Sequence, residues 1–230
     1  DLHRLQFDLE TTGLDPAHDA IFLIAVRSNR GLARVLDVAE SGLDERAAEA
    51  DLIRRFAALL READPDVIEN HNLHGFDLPF LATRAQLLGV PLALGRAGAP
   101  GLRQRPVGRG YGPVRGEVDD AGDARERAVR YIIPGRELID TLDAVRRYDF
   151  AARDLPGHGL KAVARHFGLA APDREYVDGP QIYATWLRDP ARVRHYALDD
   201  VAEADGVARL LGGAAFAMAT MAPRRYERLA

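Results

Sequence analysis

The spacing of apolar residues changes period along this chain, and that change is what most restricts its fold. Leu5 to Leu9 and Ile21 to Arg27 are short β-rich runs, the second dense in Ile, Leu and Val, and both predict strands. Between them, Thr11 to Asp19 supplies turn chemistry through Gly13 and the Asp15-Pro16 pair. Gly31 to Val38 predicts a third strand, which completes a meander. From Asp44 to Ala63 the period is helical instead, with Leu52, Ile53, Phe56, Leu59 and Leu60 on one face. After the Asp64-Pro65 break, Asp66 to Glu69 is a short strand, and Asp77 to Leu88 is a helix closed by Gly89. A strand near Arg136 to Ile139 precedes helices near Thr141 to Tyr148, Gly159 to Phe167, Pro180 to Leu187 and Pro190 to Leu211. Strands first and helices later, with no internal repeat, predict one α/β domain in which helices flank a mixed central sheet.

The period fails between Ala93 and Arg130. The first half of this stretch carries Arg96, Arg103, Arg105, Arg109 and Arg115 with no acid, and the second half carries Glu117, Asp119, Asp120, Asp123 and Glu126. An excursion of this length predicts a surface hairpin or loop. Its arginine-rich half suits a nucleic-acid strand or bulk water equally.

Composition removes several classes. With 230 residues, a net charge of -4 and 47% hydrophobic residues, the chain is too apolar and too weakly charged to be disordered. It has no cysteine, which excludes a disulfide scaffold, thiolate metal sites and a cysteine nucleophile. The same absence fits a reducing compartment, so a cytoplasmic location is expected. The longest low-charge stretch, Gly212 to Pro223, is well short of the ~20 residues of a membrane helix, so no membrane partner is expected. No basic segment followed by an apolar run marks a signal peptide. The first residue is Asp1, so the chain reads as a fragment or a processed product. Of 31 basic residues only Lys161 is lysine, a skew that GC-rich coding explains more simply than phosphate recognition does.

Three short segments carry chemistry. In Phe7-Asp8-Leu9-Glu10-Thr11-Thr12-Gly13 the alternation of a strand puts Asp8 and Glu10 on one face. Two carboxylates about 7 Å apart on a strand repel each other. A solvent-facing strand edge accommodates them; so does a hard divalent cation with oxygen ligands. In His71-Asn72-Leu73-His74-Gly75-Phe76-Asp77, Asp77 stands where a helix begins, which fits either a capping Asp or a further ligand. In Tyr196-Ala197-Leu198-Asp199-Asp200, Tyr196 and Asp200 are i and i+4 on a helix and share a face.

Taken in order, these segments resemble the DEDD superfamily of 3′–5′ exonucleases. Asp8 and Glu10 match its first motif, Asn72 with Phe76-Asp77 its second, and Tyr196 with Asp200 its third. The stretches His71 to Leu81, Gly135 to Asp140 and Tyr196 to Asp200 look most like the proofreading exonuclease domain of family-B DNA polymerases. The resemblance runs from about residue 4 to residue 211. His195, five residues before Asp200, also fits the third motif of the histidine branch. Asp189 and Pro190 predict a helix already running at His195. On it Tyr196 and Asp200 lie about 40° apart, and His195 and Asp200 about 140° apart. That geometry favours Tyr196.

The resemblance implies an RNase H-like fold and a two-metal centre of Mg²⁺ or Mn²⁺ ions held by Asp8, Glu10, Asp77 and Asp200. Tyr196 would orient the attacking water, and the products would be nucleoside 5′-monophosphates. Thr11, Thr12 and Leu14 would contact the terminal nucleotide, with Asn72 and Phe76 shaping its pocket. The expected partner is the 3′ end of single-stranded DNA, with RNA as an alternative substrate. Residues 1–211 would form the exonuclease domain, including the insertion at about 93–130. Residues 212–230 would be a tail or linker, as in a longer multidomain protein. A reading from another class is an inactive nucleic-acid-binding module. His71 and His74 lack the further ligands of a zinc site, His158 and His166 fit structural or exposed positions, Asp140 a helix cap, and Trp186 and Phe167 helix packing.

Overall fold

A computed structural model describes residues 1–99, 101–105, 129–221 and 225–228. The N-terminal meander forms as β1 (Arg4–Thr11), β2 (Ile21–Ser28) and β3 (Ala33–Asp37), antiparallel throughout. The third strand starts later than the Gly31 expected from sequence. Gly31 takes a positive φ of 86° in the preceding turn, where Ser28 N donates to Leu32 O. Helix α1 (Glu45–Ala63) is capped by the Asp44 carboxylate, which accepts from Ala47 N. It ends at Asp64 in the left-handed region.

Strand β4 (Val67–Asn70) then enters parallel to β1. A π turn over Leu73–Asp77 leads into α2 (Leu78–Leu88). Asp77 is therefore not the cap of α2: its backbone is already helical, and its carboxylate makes no capping bond. Strands β5 (Arg103–Arg105) and β6 (Arg130–Ile132) pair antiparallel at the base of the predicted excursion. Arg109, Arg115 and the acidic half of that segment lie outside the described residues. Strand β7 (Glu137–Asp140) closes the sheet parallel to β4, giving the order β3-β2-β1-β4-β7.

The rest is helical: α3 (Thr141–Ala152), α4 (Leu160–His166), α5 (Ile182–Arg188), α6 (Pro190–Leu211) and α7 (Gly213–Met221). Asp189 caps α6, and Pro190 takes its first position, where a missing N–H leaves no bond unmade. The segment read as a tail or linker thus contains a helix. Beyond it, Glu227 N donates to Glu137 Oε2 at 2.9 Å, which ties the described end of the chain to β7.

Alternation along the strands divides the core. Leu5, Phe7, Ile24 and Val26 pack under α1 and α2, with the Phe7 and Phe56 rings 4.9 Å apart. Leu23 and Ala25 face the other way, onto Trp186 of α5 and Val193, Ala197 and Val201 of α6. The same alternation sends Asp8 and Glu10 out of the α1 layer and toward α6. The domain is the expected mixed sheet between helices, an RNase H-like fold.

Candidate functional site

Asp8 and Glu10 leave the central strand one pleat apart, and Asp200 reaches them from the middle of α6. One carboxylate oxygen from each lies within 4.8 Å of the others. Asp77 joins through an amide: Asn70 Nδ2, at the end of β4, donates to Asp8 Oδ1 at 3.1 Å and to Asp77 Oδ2 at 3.2 Å. Glu10, Asp77 and Asp200 are buried.

The charges strain one another. Burial, and then the Asp200 carboxylate, push Asp8 up to about 7, against the pull of Asn70, Lys161 and Arg174. Glu10 is raised well above its ordinary value by burial and by Asp8, and Asp77 by the same two causes. Glu10 Oε1 and Asp77 Oδ1 are buried without a hydrogen-bond partner. Buried oxygens left over in this way, converging with the other carboxylates, are the donor set that a hard divalent cation takes. The cluster fits a metal centre.

The turn that carries Asp77 is held from β7. The Asp140 carboxylate accepts from Asn72 N at 2.9 Å and His74 N at 3.0 Å, besides capping α3 through Leu142 N at 3.0 Å. Asn72 sits in the left-handed region, and a Cβ at Gly75 would lie 2.2 Å from Asn72 Oδ1, so a larger residue there would displace the Asn72 side chain. The two histidines have structural duties. His74 Nδ1 accepts from Tyr131 N at 3.2 Å, and burial holds its ring neutral. His71 bridges Thr141 Oγ1 and the His158 carbonyl.

Helix α6 runs unbroken through residue 195. Tyr196 is buried, and its hydroxyl is hydrogen-bonded to the Asp200 carboxylate, one turn on. Lys161 Nζ donates to the same hydroxyl and lies 4.5 Å from the ring centre. The His195 side chain is 59% exposed and faces Asp199, 3.7 Å away, on another side of the helix.

Beside Glu10 opens a cavity of about 430 Å³. Thr11, Thr12, Leu14, Phe76, Pro180 and Tyr183 are among the residues that line it. Leu14 is 82% exposed at its edge. Asn72 does not line it. The threonine hydroxyls are engaged within their own turn, Thr11 donating to Gly13 O at 2.6 Å and Thr12 to Asp19 Oδ1 at 3.3 Å.

Sequence reasoning missed Asn70, Lys161, Arg174 and Tyr183. One signal was present: a single lysine in a chain that otherwise writes every cation as arginine is a position where the guanidinium was not taken.

A sheet of this order, with carboxylates converging from its central strand and a facing helix, sets a metal-fitting acidic cluster on an RNase H-like fold. The family model for the exonuclease domain of DNA polymerase family B matches residues 2–163, and the chain belongs to that family. It is 30% identical over 208 residues to a DNA polymerase of Pyrococcus glycovorans, spanning 87% of this chain and 24% of that one. It is 34% identical over 208 residues to a DNA polymerase of Thermococcus kodakarensis, spanning 87% of this chain and 11% of that one. The solved family B DNA polymerase of Pyrobaculum calidifontis superposes with a TM-score of 0.72 at 26% identity, over 100% of this chain and 27% of that chain. This chain therefore spans about a quarter or less of the length of these relatives. Among the described residues no helix is long and apolar enough to cross a membrane.

Proposed function

We propose that this chain is a metal-dependent 3′–5′ exonuclease that removes nucleoside 5′-monophosphates from the 3′ end of single-stranded DNA. The observation that carries the reading is the convergence of Asp8, Glu10 and Asp200 within 4.8 Å beside a cavity of about 430 Å³. That volume falls within the ~300–1,000 Å³ usual for small-molecule sites. Asp8, Glu10, Asp200 and Asp77 would hold two divalent cations, Mg²⁺ or Mn²⁺. Bound there, the pair would lower the pKa of a water and stabilise the departing 3′ oxygen.

The chain's own groups supply position. Burial and the neighbouring carboxylates raise the Tyr196 pKa, so its hydroxyl keeps its proton and orients rather than abstracts. Phe76 and Tyr183 offer ring faces that suit any base. Because the relatives are DNA polymerases of much greater length, the natural setting is a multidomain protein in which this domain clears the primer end.

The test is to incubate 5′-labelled single-stranded DNA, single-stranded RNA and a 3′-mismatched duplex with Mn²⁺. Stepwise shortening of the DNA supports the proposal, and faster shortening of RNA reassigns the substrate. Binding without shortening favours a nucleic-acid-binding module instead.

A further inference from the structure

Arg174 lies on the loop between α4 and α5, and its side chain is 2% exposed. A guanidinium presents its donors in one rigid plane, and here its four hydrogen bonds all reach one helix. Nε donates to Glu203 Oε1 at 2.9 Å, Nη1 to Asp199 Oδ2 and to the Tyr196 carbonyl, each at 3.2 Å, and Nη2 to Asp200 Oδ1. Its Cζ also sits 4.7 Å from the centre of the Tyr196 ring.

A simple ion pair needs one carboxylate. Arg174 meets three on α6, the neighbours Asp199 and Asp200 and, one turn on, Glu203, and Asp200 belongs to the candidate metal cluster. Buried like charges persist only when something of opposite sign is held against them. At this site the opposing cations are Lys161, on the Tyr196 hydroxyl, and Arg174, on Asp200. Through the Asp200 carboxylate, the Tyr196 carbonyl and the Tyr196 ring, one side chain fixes both residues of α6 that face the site.

We propose that Arg174 is a positioning residue: it locks the Asp200 carboxylate and the Tyr196 ring in the arrangement the reaction uses, and it compensates the α6 acids before divalent cations arrive. This rests on reading the site as a two-metal exonuclease centre. It separates two roles that a structural brace would merge. A cation bound at Asp200 takes over part of the charge compensation but none of the orientation.

The experiment compares the parent chain with Arg174→Met and Arg174→Lys. In EDTA, Arg174→Met lowers the thermal midpoint by roughly 10 °C, because three acids lose their partner. Saturating Mn²⁺ recovers about half of that deficit or more, since binding to the folded state is linked to its stability. On single-stranded DNA, kcat falls roughly 10- to 100-fold with KM unchanged, as expected from misplaced reacting groups. Arg174→Lys keeps the charge without the fork, so its midpoint in EDTA lies closer to the parent while its kcat stays low. A midpoint deficit equal in Mn²⁺ and EDTA, or a parent-like kcat in either variant, overturns the proposal. If Arg174→Met does not fold in EDTA, the kcat of Arg174→Lys decides alone. If the parent leaves DNA intact, the exonuclease reading fails by itself, and the recovery by Mn²⁺ still decides the role of Arg174.

Discussion

Asp140 accepts the backbone N–H of His74 at 3.0 Å, and so the end of β7 holds the turn that delivers Asp77 to the site. Removing that carboxylate leaves three N–H groups without their acceptor, two of them in the turn. Asp140→Ala should destabilise the domain by about 2–4 kcal/mol, since an orphaned buried donor such as His74 N costs about 1–3 kcal/mol and the two part-buried ones cost less. Nuclease activity should fall even below the unfolding transition, because Asp77 loses its support. Asp140→Asn, which keeps one acceptor oxygen, should lie between Asp140→Ala and the parent. Thermal unfolding and single-turnover rates at a permissive temperature check both effects.

The metal-free site sets a pH dependence with a definite sign. Asp8, Glu10 and Asp77 all titrate above their ordinary values in the folded chain, Asp8 at about 7. Their contribution to stability is full below the unfolded values near 4 and is lost as pH rises through the folded ones. A bound cation needs the ionised forms and reverses that loss. The rise in thermal midpoint on adding Mn²⁺ should therefore grow steadily from pH 5.5 to pH 7.5, a window spanning the Asp8 value. Taking the difference between Mn²⁺ and EDTA cancels His3, His71 and His74, whose lowered values act in the opposite direction. A difference that stays flat or shrinks with pH would count against the site.

Tyr196 and His195 can be told apart directly. Tyr196→Phe removes the hydroxyl bonded to Asp200 and Lys161 and should lower kcat by about 10- to 100-fold with the fold intact. His195→Ala changes an exposed side chain and should leave both rate and stability near those of the parent. A larger loss from the histidine change would move the reaction to the other branch of the superfamily.

The aromatic lining of the cavity makes its own prediction. Tyr183 packs against Phe22, with ring centres 5.3 Å apart, and faces the space beside Glu10. Tyr183→Ala should raise KM for single-stranded DNA by about 10-fold and spare kcat, in line with the ~1–3 kcal/mol that one base–aromatic stack provides. Steady-state kinetics on a short oligonucleotide measure it.

The features legible in the sequence are those with a short-range geometric rule. The two-residue period of β1 puts Asp8 and Glu10 on one face, and the helical period of α6 does the same for Tyr196 and Asp200. The capping Asp189 and the Pro190 that follows it fix where that helix begins. What was not legible depends on tertiary closure. Asn70 meets Asp8 across 62 residues and Arg174 meets Asp200 across 26, and nothing local marks either. Asp77 was legible as a position but not as part of a π turn, because that geometry is imposed from β7 by Asp140. Asn72 carries the motif but stays outside the cavity, since its side chain folds back against Gly75 within its own turn.

The central claim is that the carboxylates on β1, α6 and the π turn form a divalent-metal centre. Calorimetric titration of Mn²⁺ into the parent chain and into Asp8→Ala tests it most directly. Two Mn²⁺ per parent chain, and loss of at least one of them in Asp8→Ala with the fold retained by circular dichroism, is the expected result. A parent chain that takes up no Mn²⁺, or an Asp8→Ala variant that binds as the parent does, would contradict the account.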